Sequence, residues 1–259
     1  MIAGSFARIR ALAWNGMRQA VRDKVLYVLG GFCAVLIAGS VVVSTLTIGE
    51  RARIVMDLGL SATAILSTLT TVFVTINQVA REIDRRTIAS ILSKPVARWE
   101  LVAGRFCGMA VTLLVLVGTM GLLHAAVLRL VDGYSGAMWT ALYLEYAETL
   151  VVVAIALCLS SFITTLPAIF LSLAFVVIGH TSQGLAMLAD RLAAPLAIWI
   201  LHLLYLVLPN LELLNVRDQV VWGVAIPPAM IAWGTTYALG YSALLLAIAS
   251  FMLSRRDLT

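Results

Sequence analysis

Charge is what this sequence most lacks. Asp, Glu, Lys and Arg make up 12% of its 259 residues, against about 25% in soluble domains, and mean hydropathy is +1.02. A soluble globular chain is excluded. Cysteine is scarce and odd in number. Cys33, Cys107 and Cys158 all lie inside apolar runs without CxxC spacing, which argues against a disulfide framework or a zinc site. Thiols in such runs behave as small hydrophobes. No G-x-x-x-x-G-K-[ST] loop occurs, so this chain cannot cradle nucleotide phosphates by that device. H-E-x-x-H, a nucleophile elbow and paired carboxylates in a soluble cleft are missing too. No segment between the apolar runs is large enough for a soluble domain with its own core, which predicts one membrane domain over residues 1–259.

What is present is a series of apolar runs. A membrane helix needs roughly 20 mostly apolar residues. Six runs fit: 25–47, 58–79, 106–128, 141–163, 167–184 and 228–253. Residues 195–208 are also apolar, but as a helix they would reach only about 21 Å, short of a hydrocarbon core of roughly 30 Å. Pro209-Asn210 then stops them. They read as a re-entrant segment within an outer region, 185–227, tolerated where protein covers its ends. The expectation is an all-α, polytopic membrane protein with six transmembrane helices.

Six spans put both termini on one side. With the N-terminus inside, 13 of the 18 Lys and Arg fall inside and 5 outside, while the carboxylates divide 5 inside and 8 outside. That asymmetry follows the positive-inside rule and predicts both termini on the cytoplasmic side. The net charge of +5 is therefore a topology signal and points to no nucleic-acid partner. Residues 1–24 are too long and too charged before their apolar run for a cleaved signal peptide. Phe6, Ile9, Leu12, Ala13, Met17, Ala20 and Val21 recur at helical spacing, with Arg8, Arg18 and Arg22 elsewhere on the wheel. The pattern predicts an N-terminal amphipathic surface helix; the plainer reading is a basic segment that only orients the first span.

The largest basic feature is the loop at 80–105, rich in Arg and Lys, which cannot lie in lipid. Ile88, Ile91 and Leu92 gather on one side of a helix from Glu82 to Ser93, with Glu82 and Arg86 on the other. Acids come first and Lys94 last, which suits the helix dipole. Pro95 stops the helix, and a second helix can begin near Arg98 and run into the third span. Composition leaves two readings even: a solvated connector, or a rigid element that passes force from a cytoplasmic partner to the spans.

The string from Arg81 to Arg105, REIDRRTIASILSKPVARWELVAGR, resembles the loop between the second and third spans of ABC transporter permeases of the type 2 family. It is most similar to the branch with permeases of multicopper-enzyme maturation and the membrane subunit of the nitrous-oxide-reductase maturation transporter. The matching features are Glu82, Thr87-Ile88, Leu92, Lys94-Pro95, Arg98, Glu100 and Gly104. Family members usually carry glycine before the threonine, where this chain has Arg86. Leu208-Pro-Asn-Leu-Glu-Leu-Leu-Asn215 is similar to the segment before that branch's last span. The resemblance implies two permease subunits, likewise in membrane lipid, each docking a separate cytoplasmic ABC ATPase that carries the ATP and magnesium. It implies that the loop is a coupling helix, with Glu82, Asp84, Arg85, Arg86, Ile88, Lys94 and Arg98 at or near the ATPase contact. It also implies an exporter, with periplasmic metalloenzyme maturation as one such role. No cofactor is expected in this chain. Two other classes stay open: a non-transporting membrane anchor or assembly factor, and an ATP-independent intramembrane enzyme or flippase.

Within the spans, Glu145 and Glu148 are the candidate pathway residues. Their spacing puts them on one helical face, near the start of the fourth run. Hydration at the outer boundary is the simpler reading; at greater depth they would be costly and functional. Asn77 and Gln78, at the end of the second run, can bind a neighbouring helix or face headgroups, and headgroups are the simpler reading. His124, His180 and His202 lie toward the outer side near Met120 and Met187. Thioether and imidazole suit copper, but no spacing marks a site, and methionines at helical spacing pack. Gly108, Gly118 and Gly121 are placed for close helix packing.

Overall fold

The computed structural model describes residues 2–45, 50–84, 97–181 and 208–255, apart from a few side chains at helix ends. Helices dominate, and no strand occurs among the described residues. Helix α1 is Ile2–Val21, α2 Lys24–Ser44, α3 Arg51–Asp84, α4 Arg98–Leu130, α5 Ala137–Ser160 and α6 Thr165–His180. A 3-10 turn follows at Leu211–Leu214, then the short α7, Arg217–Val221, and α8, Pro228–Arg255.

Five of these, α2, α3, α4, α5 and α8, are long and apolar enough to cross a membrane. The expected fifth span coincides with α6, an apolar helix of 16 residues. At 1.5 Å per residue it reaches about 24 Å. The re-entrant segment 195–207 and the coupling segment 85–96 lie outside the described residues. Proline marks the boundaries: Pro167 stands in the first turn of α6 and Pro228 opens α8, positions where the missing N–H costs nothing.

Helix α5 is the centre of the bundle. Its apolar window is 83% buried, against 17% for α2 and 22% for α8. Every residue from Val151 to Ser160 is buried. A helix apolar all round must be surrounded, and α3, α4, α6 and α8 all pack on it. Helix α2 lies against α3, while α1 lies along the first half of α4.

The seat of α1 on α4 is made by glycine. A β-carbon on Gly104 would stand 2.6 Å from Cβ of Leu12, and one on Gly108 would stand 2.7 Å from the Ala13 carbonyl oxygen. Gly121 makes a similar approach to Leu142 of α5, whereas nothing lies within 4 Å of a β-carbon on Gly118. Close packing thus accounts for two of the three glycines singled out from sequence. Gln78 differs from its expected headgroup role. It is buried, and its Nε2 donates to the Gly16 carbonyl at 3.3 Å, because α1 covers this end of α3. Cys33 and Cys158 are buried, while Cys107 is on the outer surface of α4.

Candidate functional site

Glu145 and Glu148 lie deeper than the sequence boundary suggested. The helix starts at Ala137 rather than Ala141, so the two carboxylates stand about 12 and 17 Å along it. Because α5 is enclosed, both are more than nine-tenths buried. Each has acquired a partner from another helix. Ser67 of α3 donates its hydroxyl to Glu145 Oε1 at 3.0 Å. His180, the last residue of α6, sets Nε2 2.9 Å from Glu148 Oε1.

The other ring nitrogen of His180 faces Glu212 Oε2 at 3.5 Å. Only an imidazolium donates from both nitrogens. Glu212 is brought there by the 3-10 turn, and Gly179 is what lets the turn approach. A β-carbon on Gly179 would stand 2.8 Å from both the Pro209 carbonyl oxygen and Leu211 Cγ. The turn is held from its other side by the Tyr237 hydroxyl, which accepts from the Asn210 N–H at 2.7 Å. Asn215 then donates to both Glu212 oxygens, at 3.4 and 3.3 Å. Arg217 reaches back to α3, donating to Ser61 at 3.0 Å and lying 3.4 Å from Asp57.

Between these groups is a cavity of about 570 Å³. Glu145, Glu148, His180, Glu212 and Arg217 form its polar end, and Leu60, Ile65, Leu69, Leu173 and Val176 much of its apolar wall. The volume falls in the range of small-molecule sites. No group of three or more His, Cys, Asp or Glu poised to hold a metal ion occurs among the described residues. His124 stands apart from the cavity, buried in α4 with its Nε2 3.1 Å from the Val55 carbonyl oxygen. Of the site groups, sequence reasoning singled out Glu145 and Glu148 and saw His180 only as a histidine of the outer side. It gave no role to Ser67, Glu212 or Arg217. The signal available for Glu212 was the segment Leu208–Asn215, which folds over this cavity.

At the far end of α3 and the start of α4, one stem of the basic loop is tied to α1 and the other to the turn between α1 and α2. Arg8 forms a two-pronged pair with Glu100, Nε to Oε2 at 2.8 Å and Nη2 to Oε1 at 2.7 Å. This bonding raises the Arg8 guanidinium above its ordinary value. The same Glu100 accepts from the Ala97 N–H at 3.3 Å, closing the first turn of α4. On the other stem, Arg81 pairs with Asp23, the residue before α2. Arg98 donates to the Leu253 carbonyl of α8. Of the predicted ATPase contacts, Arg98 is therefore held within the bundle. Glu82 and Asp84 lie in the last turn of α3, and Arg85, Arg86, Ile88 and Lys94 fall outside the described residues.

Residues 10–258, nearly the whole chain, match the family described as ABC-2 family transporter protein. Comparison with curated proteins returns no match.

Proposed function

The chain belongs to the ABC-2 transporter family, and we propose on that premise that it is the permease subunit of an exporter driven by a separate cytoplasmic ATPase. The subunit is multi-pass, lies in the bacterial inner membrane with both termini cytoplasmic, and pairs with a second copy. ATP and magnesium belong to the partner. The observation that carries the coupling role is the double tie of the loop stems, Glu100 to Arg8 of α1 and Arg81 to Asp23 in the turn that follows α1. A push on the loop is delivered to α3, α4 and α1 together, since none of the three can yield without breaking an ion pair. The contact itself is assigned to Glu82, Asp84, Arg85, Arg86, Ile88 and Lys94, with Arg98 anchoring the returning stem. Service to periplasmic metalloenzyme maturation is supported by the resemblance of residues 81–105 and 208–215.

The test is a pull-down of the tagged chain from its native membrane in mild detergent, read by mass spectrometry, beside the double variant Glu82→Ala, Arg85→Ala. A stoichiometric ABC ATPase is expected with the unaltered chain and absent from the variant. No ATPase with the unaltered chain, under conditions that keep other transporters intact, overturns the reading.

A further inference from the structure

The cavity beside α5 has an uneven charge inventory. Among the described residues, three carboxyl groups line it, Glu145 and Glu148 from α5 and Glu212 from the 3-10 turn, and a fourth, Asp57 of α3, lies beside the lining Arg217. Against them, among the described residues, stand one imidazole, His180, and one guanidinium, Arg217. Both are already engaged. His180 lies between Glu148 and Glu212, and Arg217 lies beside Asp57 and Asp218. Glu145 has no ion-pair partner among the described residues. Its one hydrogen bond comes from the neutral Ser67 hydroxyl, although it is more than nine-tenths buried and lines the cavity. A buried carboxylate is stable either neutralised by a proton or beside a positive group, and Glu145 borders a cavity with room for such a group.

The rest of the wall says what shape the partner has. Leu60, Leu69, Leu173 and Val176 also line the cavity, giving it an apolar wall beside the carboxylates. Ile65 and Val177 line it too and are 61% and 63% exposed on the outer surface of the bundle. The cavity therefore reaches the outer surface of the bundle between α3 and α6. A small hydrated cation would leave this apolar wall unused, and an anion would meet the carboxyl excess.

We propose that the cavity binds a lipophilic cation, entering between α3 and α6 with its apolar body against Ile65, Leu69 and Leu173 and its positive group on Glu145. Under the permease function proposed above, this names the substrate class; the binding itself needs no ATPase, so the two stand or fall separately.

The experiment uses the full chain in nanodiscs of zwitterionic lipid, without any ATPase. The probe is tetraphenylphosphonium, permanently charged and apolar, with tetraphenylborate as the anion of like shape. Saturable binding of the cation is expected, weakened at least tenfold by Glu145→Gln and unchanged by Glu50→Gln, whose carboxylate pairs with Arg53 at the exposed start of α3. A second variant, Ala64→Phe, fills the cavity without altering any charge and is expected to abolish binding. Equal binding of the borate, or retention of cation binding by both Glu145→Gln and Ala64→Phe, overturns the proposal. Should Glu145→Gln not give a monodisperse protein, Ala64→Phe decides alone. An ATPase missing from the pull-down, with cation binding intact, overturns the permease reading and leaves the site standing.

Discussion

Gly59 of α3 and His124 of α4 occupy one volume: a β-carbon on the glycine would fall within the van der Waals radius of the imidazole ring. The ring is fully buried, and its Nε2 is held by the Val55 carbonyl one turn earlier on α3. Gly59→Ala is accordingly expected to destabilise the protein by about 1–3 kcal/mol, the usual range for overpacking. His124→Ala in the same chain should recover most of that loss by removing the ring. Thermal unfolding in detergent of the two single variants and the double variant reads the coupling. Simple additivity would show that the two residues do not share a site.

Gly108 and Gly118 lie on the same helix and should respond in opposite directions to the same change. Gly108→Ala drives a methyl against the Ala13 backbone of α1, and backbone cannot swing aside. A loss of about 1–3 kcal/mol is expected, with faster proteolysis ahead of α2. Gly118→Ala meets nothing within 4 Å and should be neutral or gain up to about 1 kcal/mol from helix propensity. Melting temperatures that move together would contradict the packing described for α1.

Arg8→Ala removes the two-pronged partner of the buried Glu100 carboxylate and leaves its bond from the Ala97 N–H in place. Loosening of α1 from the start of α4 is expected, read as faster hydrogen exchange in residues 2–21 and 98–105. Glu100→Gln should show the same loosening more weakly, because an amide still accepts from both Arg8 and Ala97. Exchange rates unaltered by either variant would mean that the glycine contacts alone seat α1.

Glu148 and His180 are paired across two helices, so their variants should be non-additive. Glu148→Gln and His180→Ala are each expected to lower stability, and the double variant by less than their sum, with a coupling of about 0.5–3 kcal/mol. Loss of either should also free Glu212 from its place over the cavity. A coupling energy of zero by thermal unfolding would separate the two residues.

Much of the fold was legible because lipid imposes a simple demand. Runs such as 228–253 have no alternative to a helix once water is gone, and the observed α8 begins at the expected Pro228. The surface periodicity of residues 6–21 was likewise visible, because a helix that rests on another element shows one apolar face. The site was legible only in part. Glu145 and Glu148 stood out as acids among apolar residues, and their shared face follows from spacing alone. Their depth did not, since the true start of α5 is set by the turn at 131–136 rather than by hydropathy. His180, Glu212 and Arg217 reach the cavity through pairings that span 32 residues for His180 and 156 for the Arg217–Ser61 bond. No local pattern encodes such meetings. Gly179 gave no hint either, since its value is an approach by Pro209 and Leu211 that only the folded chain displays.

Helix α5, with acids in mid-span and most of its surface covered by other helices, has a consequence for how the protein is made. A charged residue at the centre of an isolated helix costs roughly 2.5–3.5 kcal/mol on insertion, and α5 carries two. Ser67 is already in place when α5 emerges from the ribosome, whereas His180 is still to come. The order of synthesis therefore leaves Glu148 waiting for its partner until α6 follows. Chains truncated after Ser160 should insert α5 less completely than chains that extend past His180, as glycosylation mapping would read. Biogenesis of this protein thus hinges on its fourth long helix being rescued by a neighbour made after it.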